Sequence, residues 1–449
     1  MKKGFLSPGK LIFYGLAFTL AACGVSKKPL PQDYELTTAW ANLACYIAKT
    51  TPANTPTFAS RGFGYIGLTM YETAVNADSN YQSVAAQLNG LGALPAADKN
   101  AAYNWPMAVN AGQAEIIRSI YIQTSDANKL KIDSLEKHFA EIYTSYIQND
   151  TIVNRSIAFG KQIAQRIFEW SKTDGGHRGY LANFDKKLVF AEKPGCWRPP
   201  LYAQSFSHYP LHPHWGKNRT FLAADSALEP PAFIAYDTNP GSAYYNQFKQ
   251  VVEKRKALTQ PEKEAAIWWS DDPDVTFTPP GHSYYLATIA VNKAKPGLLV
   301  CAQTYAQVGM AVADAFRNCW KWKYFFYSER PNTFVPQHID QRWESFWPDP
   351  PFPAFPSGHA MNAGAVATVL TGLFGDHFAF TDSAHFGRPR DEIRQTDFVC
   401  RQFNSFWQAA HEIADSRFYG GIHCPQDNER GLEKGSEIAR NVITLHWKK

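Results

Sequence analysis

Three short segments in the last third of the chain carry the residue types from which an oxyanion site can be built. The first holds Lys323 and Arg330, seven residues apart, with Pro331 directly after them. The second is Pro356-Ser357-Gly358-His359, placed just before the apolar run Ala360–Leu373. The third is Ser416-Arg417, followed by His423 and then Asp427. One pocket made from all three would offer three fixed cations, a hydroxyl, a backbone N–H and two imidazoles. That inventory suits a tetrahedral or trigonal-bipyramidal oxyanion such as phosphate or vanadate.

Ser357 is a favoured N-cap, and the first N–H groups of a helix have no intrahelical partners. The N-terminus also carries partial positive charge, so the segment predicts an anion site. Gly358 lets the backbone come close to an oxygen. His359, in the first turn, can face the same anion as a donor or as an acid–base group. A plain capped helix with a stray histidine would read the same way. The spacing of Lys323 and Arg330 is close to two helical turns, which predicts one shared face. Pro331 is predicted to stop that helix. Arg330 adds a planar fork of donors, although a solvated basic face has this pattern too. Arg417 and His423 flank the pair Gly420-Gly421, which predicts a turn that brings both side chains together. His423 and Asp427 stand at helical spacing, so that Asp427 can accept from one ring nitrogen and fix the tautomer. Each segment is weak alone. Together they supply complementary parts of one site.

Most of the chain that must position these residues reads as helix. Apolar residues recur at three-to-four spacing in Tyr34–Thr50, Arg61–Asp78, Ala101–Gln123, Asp126–Gln148 and Ile152–Lys172. Helical patterns return in Gly241–Arg255, Glu262–Trp269, Gly281–Lys293, Pro296–Phe326, Gly358–Phe374, Asp391–Ile413 and Asn428–His446. Between them, Gly175–Pro231 is rich in Pro, Gly, His and aromatics, and a loop that long is usually functional. No strand alternation of useful length is present. The expected class is all-α: two packed helical bundles with long aromatic and Pro-rich loops. The expected division is a leader over 1–22, a lipidated tether over 23–35, an N-terminal bundle with its aromatic loop over 36–240, and a C-terminal bundle with the oxyanion site over 241–449.

The composition is globular, with 45% apolar and 19% charged residues among 449. Lys2, Lys3 and Lys10 precede an apolar stretch, Leu11–Ala22, too short to span a bilayer. It ends Leu20-Ala21-Ala22-Cys23, which resembles the bacterial lipoprotein cleavage box. Cys23 would then take the lipid, and two or more chains give stable anchoring. The expectation is an exported protein, lipid-anchored to a bacterial membrane at the periplasmic face or the cell surface. An ordinary secretory signal, with Cys23 incidental, is the alternative. Removing residues 1–22 takes away three lysines and no acid, so a net charge of +5 becomes +2. That near-neutral balance gives no support for nucleic-acid binding. The six remaining cysteines, an even number in an exported chain, allow disulfides or buried thiols.

The three segments together resemble the signature of the type-2 phosphatidic-acid-phosphatase superfamily, which contains acid phosphatases, lipid phosphatases and vanadium-dependent haloperoxidases. Every motif position matches, over roughly a quarter of the chain. Chain length, and the stretch Trp268-Trp-Ser-Asp271-Asp-Pro273 with Thr278-Pro-Pro-Gly-His282, look like the haloperoxidase branch. The Gly195–Pro200 and Pro213–Gly216 segments look like loops of bacterial haloperoxidases. Trp320 and Phe352 resemble the aromatic pair of fungal chloroperoxidases, a pattern that bacterial iodide-specific enzymes share.

By that resemblance, His423 bonds vanadium, and Lys323, Arg330, Ser357, Gly358 and Arg417 hold the vanadate oxygens. His359 is the acid–base group, and Asp271, or else Asp272, supports it and keeps it protonated. Asp427 orients His423, and Trp320 and Phe352 wall the halide pocket. Vanadate is the implied cofactor, and phosphate fits the same site. The implied substrates are hydrogen peroxide and halide, iodide before bromide, with a small organic acceptor. The membrane enters only through the lipid anchor. Two other readings stand beside this one. One is a phosphohydrolase with His423 as nucleophile. The other is a non-catalytic lipoprotein that binds a ligand through its aromatic loop.

Overall fold

The structure is a computed structural model that describes residues 27–189, 192–199, 203, 209–273 and 275–449. The leader and Cys23 lie outside the described residues. In chain order the helices are α1 (Asp33–Thr50), α2 (Pro56–Ala74), α3 (Trp105–Ile120), α4 (Asp126–Ile147), α5 (Asp150–Ser171), the short α6 (Ala223–Ser226) and α7 (Ala243–Lys256). There follow α8 (Gln260–Trp268), α9 (Thr278–Ala294), α10 (Leu298–Phe326), α11 (Pro331–His338), α12 (Gly358–Phe374), α13 (Phe406–Tyr419) and α14 (Pro425–Ile443). The class is all-α, as the sequence predicts. Two three-residue strands, β1 (Phe380–Asp382) and β2 (Arg401–Phe403), pair antiparallel between α12 and α13.

The starts of the helices follow from local chemistry. Thr55 caps α2 ahead of Pro56, Asn104 caps α3 ahead of Pro106, and Ser125 caps α4. Helix α2 is buried along its whole length. It crosses α10 with backbone against backbone: a Cβ on Gly67 would stand 2.2 Å from the Tyr305 carbonyl oxygen. Helices α12 and α14 cross in the same manner, since a Cβ on Gly435 would stand 1.9 Å from the Met361 carbonyl oxygen, and one on Gly364 2.3 Å from that of Leu432. Helix α10 packs on α2, α9, α12 and α14 and so lies at the centre of the molecule. One apolar core takes residues from both sides of residue 240, from Leu36 to Trp447.

Two expectations need correction. Asp391–Ile413 is not one helix. Asp391 accepts from the Arg394 N–H at 2.9 Å and from its guanidinium at 2.8 Å, and Arg394 stacks on Trp347 at 4.1 Å. These local bonds form a turn, with Gln395 at φ 52°, and the helix begins only after the Ser405 cap. Pro331 also does not stop the helix that carries Lys323. That helix ends earlier, at left-handed Tyr327, and Pro331 is the first residue of α11. The six cysteines from Cys45 to Cys424 are all free thiols, and Cys45, Cys301, Cys319 and Cys424 are buried.

Candidate active site

Lys323 sits in the last turn of α10, and Arg330 is the N-cap residue of α11. They converge through the turn between the two helices and not through two turns of one helix face. Both point their donors at one proline-rich strip. Lys323 Nζ donates to the carbonyls of Pro353 at 2.8 Å and Ala354 at 2.6 Å. Arg330 donates to Phe352 at 3.0 Å, Pro353 at 3.3 Å and Ile422 at 2.8 Å. Prolines lack an N–H, so this strip offers carbonyls in excess of donors. The Phe352 ring lies 5.1 Å from Lys323 Nζ and 5.3 Å from the Arg330 guanidinium. Trp320 packs on Phe352 with ring centroids 4.9 Å apart, so the expected aromatic wall is assembled.

Ser357 caps α12, its Oγ accepting from the Ala360 N–H at 3.4 Å. Its own N–H donates to the Asp427 carbonyl at 2.9 Å, which ties the start of α12 to the start of α14. A Cβ on Gly358 would meet nothing nearer than 3.7 Å. Packing therefore does not demand glycine there, and Gly358 lines the cavity.

The chain turns at Gly421, with φ 73°, between Arg417 and His423. Asp427 Oδ2 lies 2.9 Å from His423 Nδ1 and also accepts the Cys424 N–H at 3.2 Å. An oxygen already accepting one N–H is an acceptor for the second, so the proton sits on Nδ1 and Nε2 carries the lone pair. Nε2 lies 3.5 Å from an Arg330 nitrogen. Burial, and then Arg330, Lys323 and Arg417, push His423 well below its ordinary value and keep it neutral. Arg417 donates to the Trp269 carbonyl at 3.0 Å, while its Nε has no partner. Burial lowers it to about 10 against the pull of Asp272 and Asp271.

His359 Nε2 is likewise without a partner, and the Ser270 carbonyl takes the ring's one backbone hydrogen bond. Nδ1 is the nitrogen left for that bond. The expected support by Asp271 takes a different form. Asp271 bonds His282 at 2.9 Å and His385 at 3.0 Å, and it reaches His359 only as a nearby charge. Burial and Arg417 outweigh that charge, so His359 is driven down and not held protonated. Asp272 does not bond His359 either. Burial pushes it up to about 6, and Arg417 is the strongest charge opposing that rise.

Ser270, Asp271, Asp272, Trp320, Phe352, Gly358, His359, Arg417 and His423 line a common cavity of about 540 Å³. Asn54, Phe184 and Leu211 line it as well. The carbonyl strip at 352–354 and the roles of Ser270, His282, Asp382 and His385 were missed in the sequence. The run Pro348-Asp-Pro-Pro-Phe-Pro353 and the motif histidine His282 were the signals available for two of them.

The family model described as the VCPO second helical-bundle domain matches residues 335–448, which hold the second and third segments. The solved structure of a bacterial vanadium-dependent iodoperoxidase is 30% identical, with a TM-score of 0.79, over 93% of this chain and 98% of that one. The chain belongs to the vanadium-dependent haloperoxidases. A holo-type bacterial vanadium-dependent chloroperoxidase shares the fold at 15% identity and a TM-score of 0.63, covering 94% of this chain and 100% of that one. The vanadium chloroperoxidase of Curvularia inaequalis is 25% identical over 39% of this chain, and the match spans 37% of its own length.

The residues present fit the oxyanion that defines this haloperoxidase family. Three buried cations converge without a carboxylate partner among the described residues. The partnerless atoms Arg417 Nε and His359 Nε2 belong to residues that line the same cavity as Gly358. Buried polar atoms rarely stay unpaired, and one tetrahedral or trigonal-bipyramidal anion would satisfy them.

Proposed function

We propose that this chain is a vanadate-dependent peroxidase that oxidises iodide, and less readily bromide, with hydrogen peroxide to hypohalous acid. The observation that carries the reading is a set of three buried cations whose charges all act on His423, none in a salt bridge among the described residues: Arg417 lines the aromatic-walled cavity with His423 and His359, and Lys323 and Arg330 bond the strip at 352–354 beside it. Lys323, Arg330, Arg417, the Gly358 N–H and the Ser357 hydroxyl would hold the oxygens of vanadate, and His423 Nε2 would bond the vanadium. When bound, vanadate supplies a Lewis acid that makes hydrogen peroxide open to attack by halide. Phosphate would occupy the same cradle.

The protein's own part is electrostatic and protonic. Fixed cations in a water-poor site stabilise negative charge at no cost in reorganisation. Asp427 holds the proton of His423 on Nδ1, which keeps Nε2 a donor of electrons. Oxidation of iodide to hypoiodous acid consumes one hydrogen peroxide and one proton and releases one water. His359 Nε2, bare and facing the cavity, takes a proton from entering peroxide and returns it to the departing oxygen. Trp320 and Phe352 give a polarisable anion an apolar wall. Iodide is favoured because it needs the least oxidising power and because an iodoperoxidase is the 30%-identical relative.

The deciding assay uses protein freed of phosphate, with and without orthovanadate, for peroxide-driven halide oxidation and for phosphate-ester hydrolysis. Vanadate should switch on the first, with iodide faster than bromide and chloride slowest. Ester hydrolysis that vanadate abolishes, with no halide oxidation, would replace this reading with a phosphohydrolase using His423. The leader and Cys23 support export and lipid anchoring, and intact-mass analysis of membrane-extracted protein tests both.

A further inference from the structure

Asp271 belongs to a buried cluster that the anion cradle does not use. His282 lies in the first turns of α9, Asp382 ends β1, and His385 lies in the loop beyond it. His282 Nδ1 is 2.9 Å from Asp271 Oδ2, and its Nε2 is 2.8 Å from Asp382 Oδ2. His385 Nε2 is 3.0 Å from Asp271 Oδ1. Asp382 also accepts from Trp268 Nε1 at 2.7 Å and the Ala384 N–H at 2.9 Å. None of the four side chains is more than 3% exposed.

Carboxylates that already accept several N–H bonds are acceptors only. His282 therefore carries hydrogen on both nitrogens and a positive charge, flanked by two negative ones. Burial opposes that charge, but the two carboxylates prevail and raise His282 to about 10. Asp271, His282 and His385 also lie close enough together to ligate a metal ion. Their facing nitrogens are already committed as donors to carboxylate oxygens, so the hydrogen-bonded arrangement is complete without one.

The segment this cluster grips is strained. Asp271 has φ 48° and Thr278 has φ 69°, in a region where a β-branched residue is an outlier. Such conformations persist only where their surroundings over-determine them. The residue before Asp271 is Ser270, whose carbonyl accepts from His359.

We propose that His282, clamped between Asp271 and Asp382, is a positioning residue for His359. It locks the 270–272 segment so that the Ser270 carbonyl takes the Nδ1 hydrogen of His359 and leaves Nε2 bare in the cavity. The acid–base nitrogen is thus chosen from outside the cradle, through a backbone carbonyl and a charged triad.

The test is the imidazole nitrogen spectrum of the full-length protein labelled with ¹⁵N-histidine, with His359 assigned by difference against His359→Gln. Wild type should show a protonated Nδ1 and a bare Nε2 for His359. In His282→Gln that signature should give way to a mixture of tautomers. The kcat for halide oxidation should fall by about a hundredfold, the scale of a misplaced catalytic group, with Kd for vanadate unchanged. A folded His282→Gln with an unaltered His359 signature and kcat overturns the proposal, as does a stoichiometric metal ion bound by Asp271, His282 and His385. If His282→Gln does not fold, Asp382→Asn keeps the shape and removes one flanking charge, and an unaltered His359 signature there counts against the proposal equally. Wild type without halide turnover would defeat the proposed function, while the tautomer spectrum would still judge this inference.

Discussion

Lys323, Arg330 and Arg417 spend their hydrogen bonds on backbone carbonyls, not on carboxylates among the described residues. Three buried like charges repel one another, and burial disfavours each of them. An oxyanion should relieve that cost and stabilise the fold. At a hundred times its Kd, vanadate or phosphate contributes about 2.7 kcal/mol. An unfolding entropy near 2.1 cal/mol/K per residue, over 449 residues, gives roughly 0.9 kcal/mol/K. The expected rise in Tm is then about 3 °C. Lys323→Met keeps the length of the side chain and removes one charge. Relief of the buried charge is offset by the Pro353 and Ala354 carbonyls it leaves, at about 1 kcal/mol each, so anion-free stability should change little. The lost charged contact, about 2–3 kcal/mol, weakens anion binding roughly a hundredfold. The same anion concentration then only matches Kd and yields about 0.4 kcal/mol, a rise of roughly half a degree. Scanning calorimetry at fixed pH and ionic strength reads both numbers. A wild-type Tm that ignores both anions, or an undiminished rise in Lys323→Met, would refute the idea of a cradle under electrostatic tension.

Three further outcomes are expected. His423→Ala should lose vanadate binding and halide oxidation together, whereas His359→Ala should keep most of the binding and lose turnover; equal loss of binding in equilibrium dialysis would reverse that division. Burial holds Lys323 below its ordinary 10.5, so between the lowered value and 10.5 the anion-free unfolded chain binds more protons than the folded one. Stability contributed by this group therefore rises with pH across that window, while anion affinity falls, and phosphate binding should take up protons; calorimetric titration in buffers of different ionisation heat would contradict this by finding release. Gly435→Ala should force α12 and α14 apart at about 1–3 kcal/mol, lowering the urea midpoint and vanadate affinity together, and an unmoved midpoint would show that the crossing has slack.

Local chemistry made part of this legible in the sequence. Ser357 before an apolar run marks the start of α12, and Gly358–Phe374 is the helix observed. The Gly420-Gly421 turn follows from the left-handed φ that Gly421 adopts. Tertiary preferences hid the rest. Spacing put Lys323 and Arg330 on one face, but Tyr327 left the helix first, and the cations were gathered by carbonyls of the proline strip at 352–354. Asp271 is expected beside His359 only through the resemblance of the Trp268–His282 stretch to haloperoxidases; in the structure it bonds His282 and His385, the latter from a loop with no periodic signal. Helix periodicity over 391–413 was real in composition but lost to the Asp391–Arg394 turn.

The crossing of α12 and α14 divides the enzyme into parts a redesigner can alter and parts that must be left alone. Ser357, Gly358 and His359 stand at the start of one helix; His423 and Asp427 stand at the start of the other. A Cβ on Gly431 would stand 2.9 Å from the Ser357 carbonyl oxygen, so even one methyl there would shift one half of the cradle against the other. Trp320 and Phe352 have no such duty: their side chains form the wall, and neither lies on the crossing. A search for altered halide or acceptor choice should draw its library from that wall, from Leu211 and from Phe316, and keep the glycines of the joint fixed.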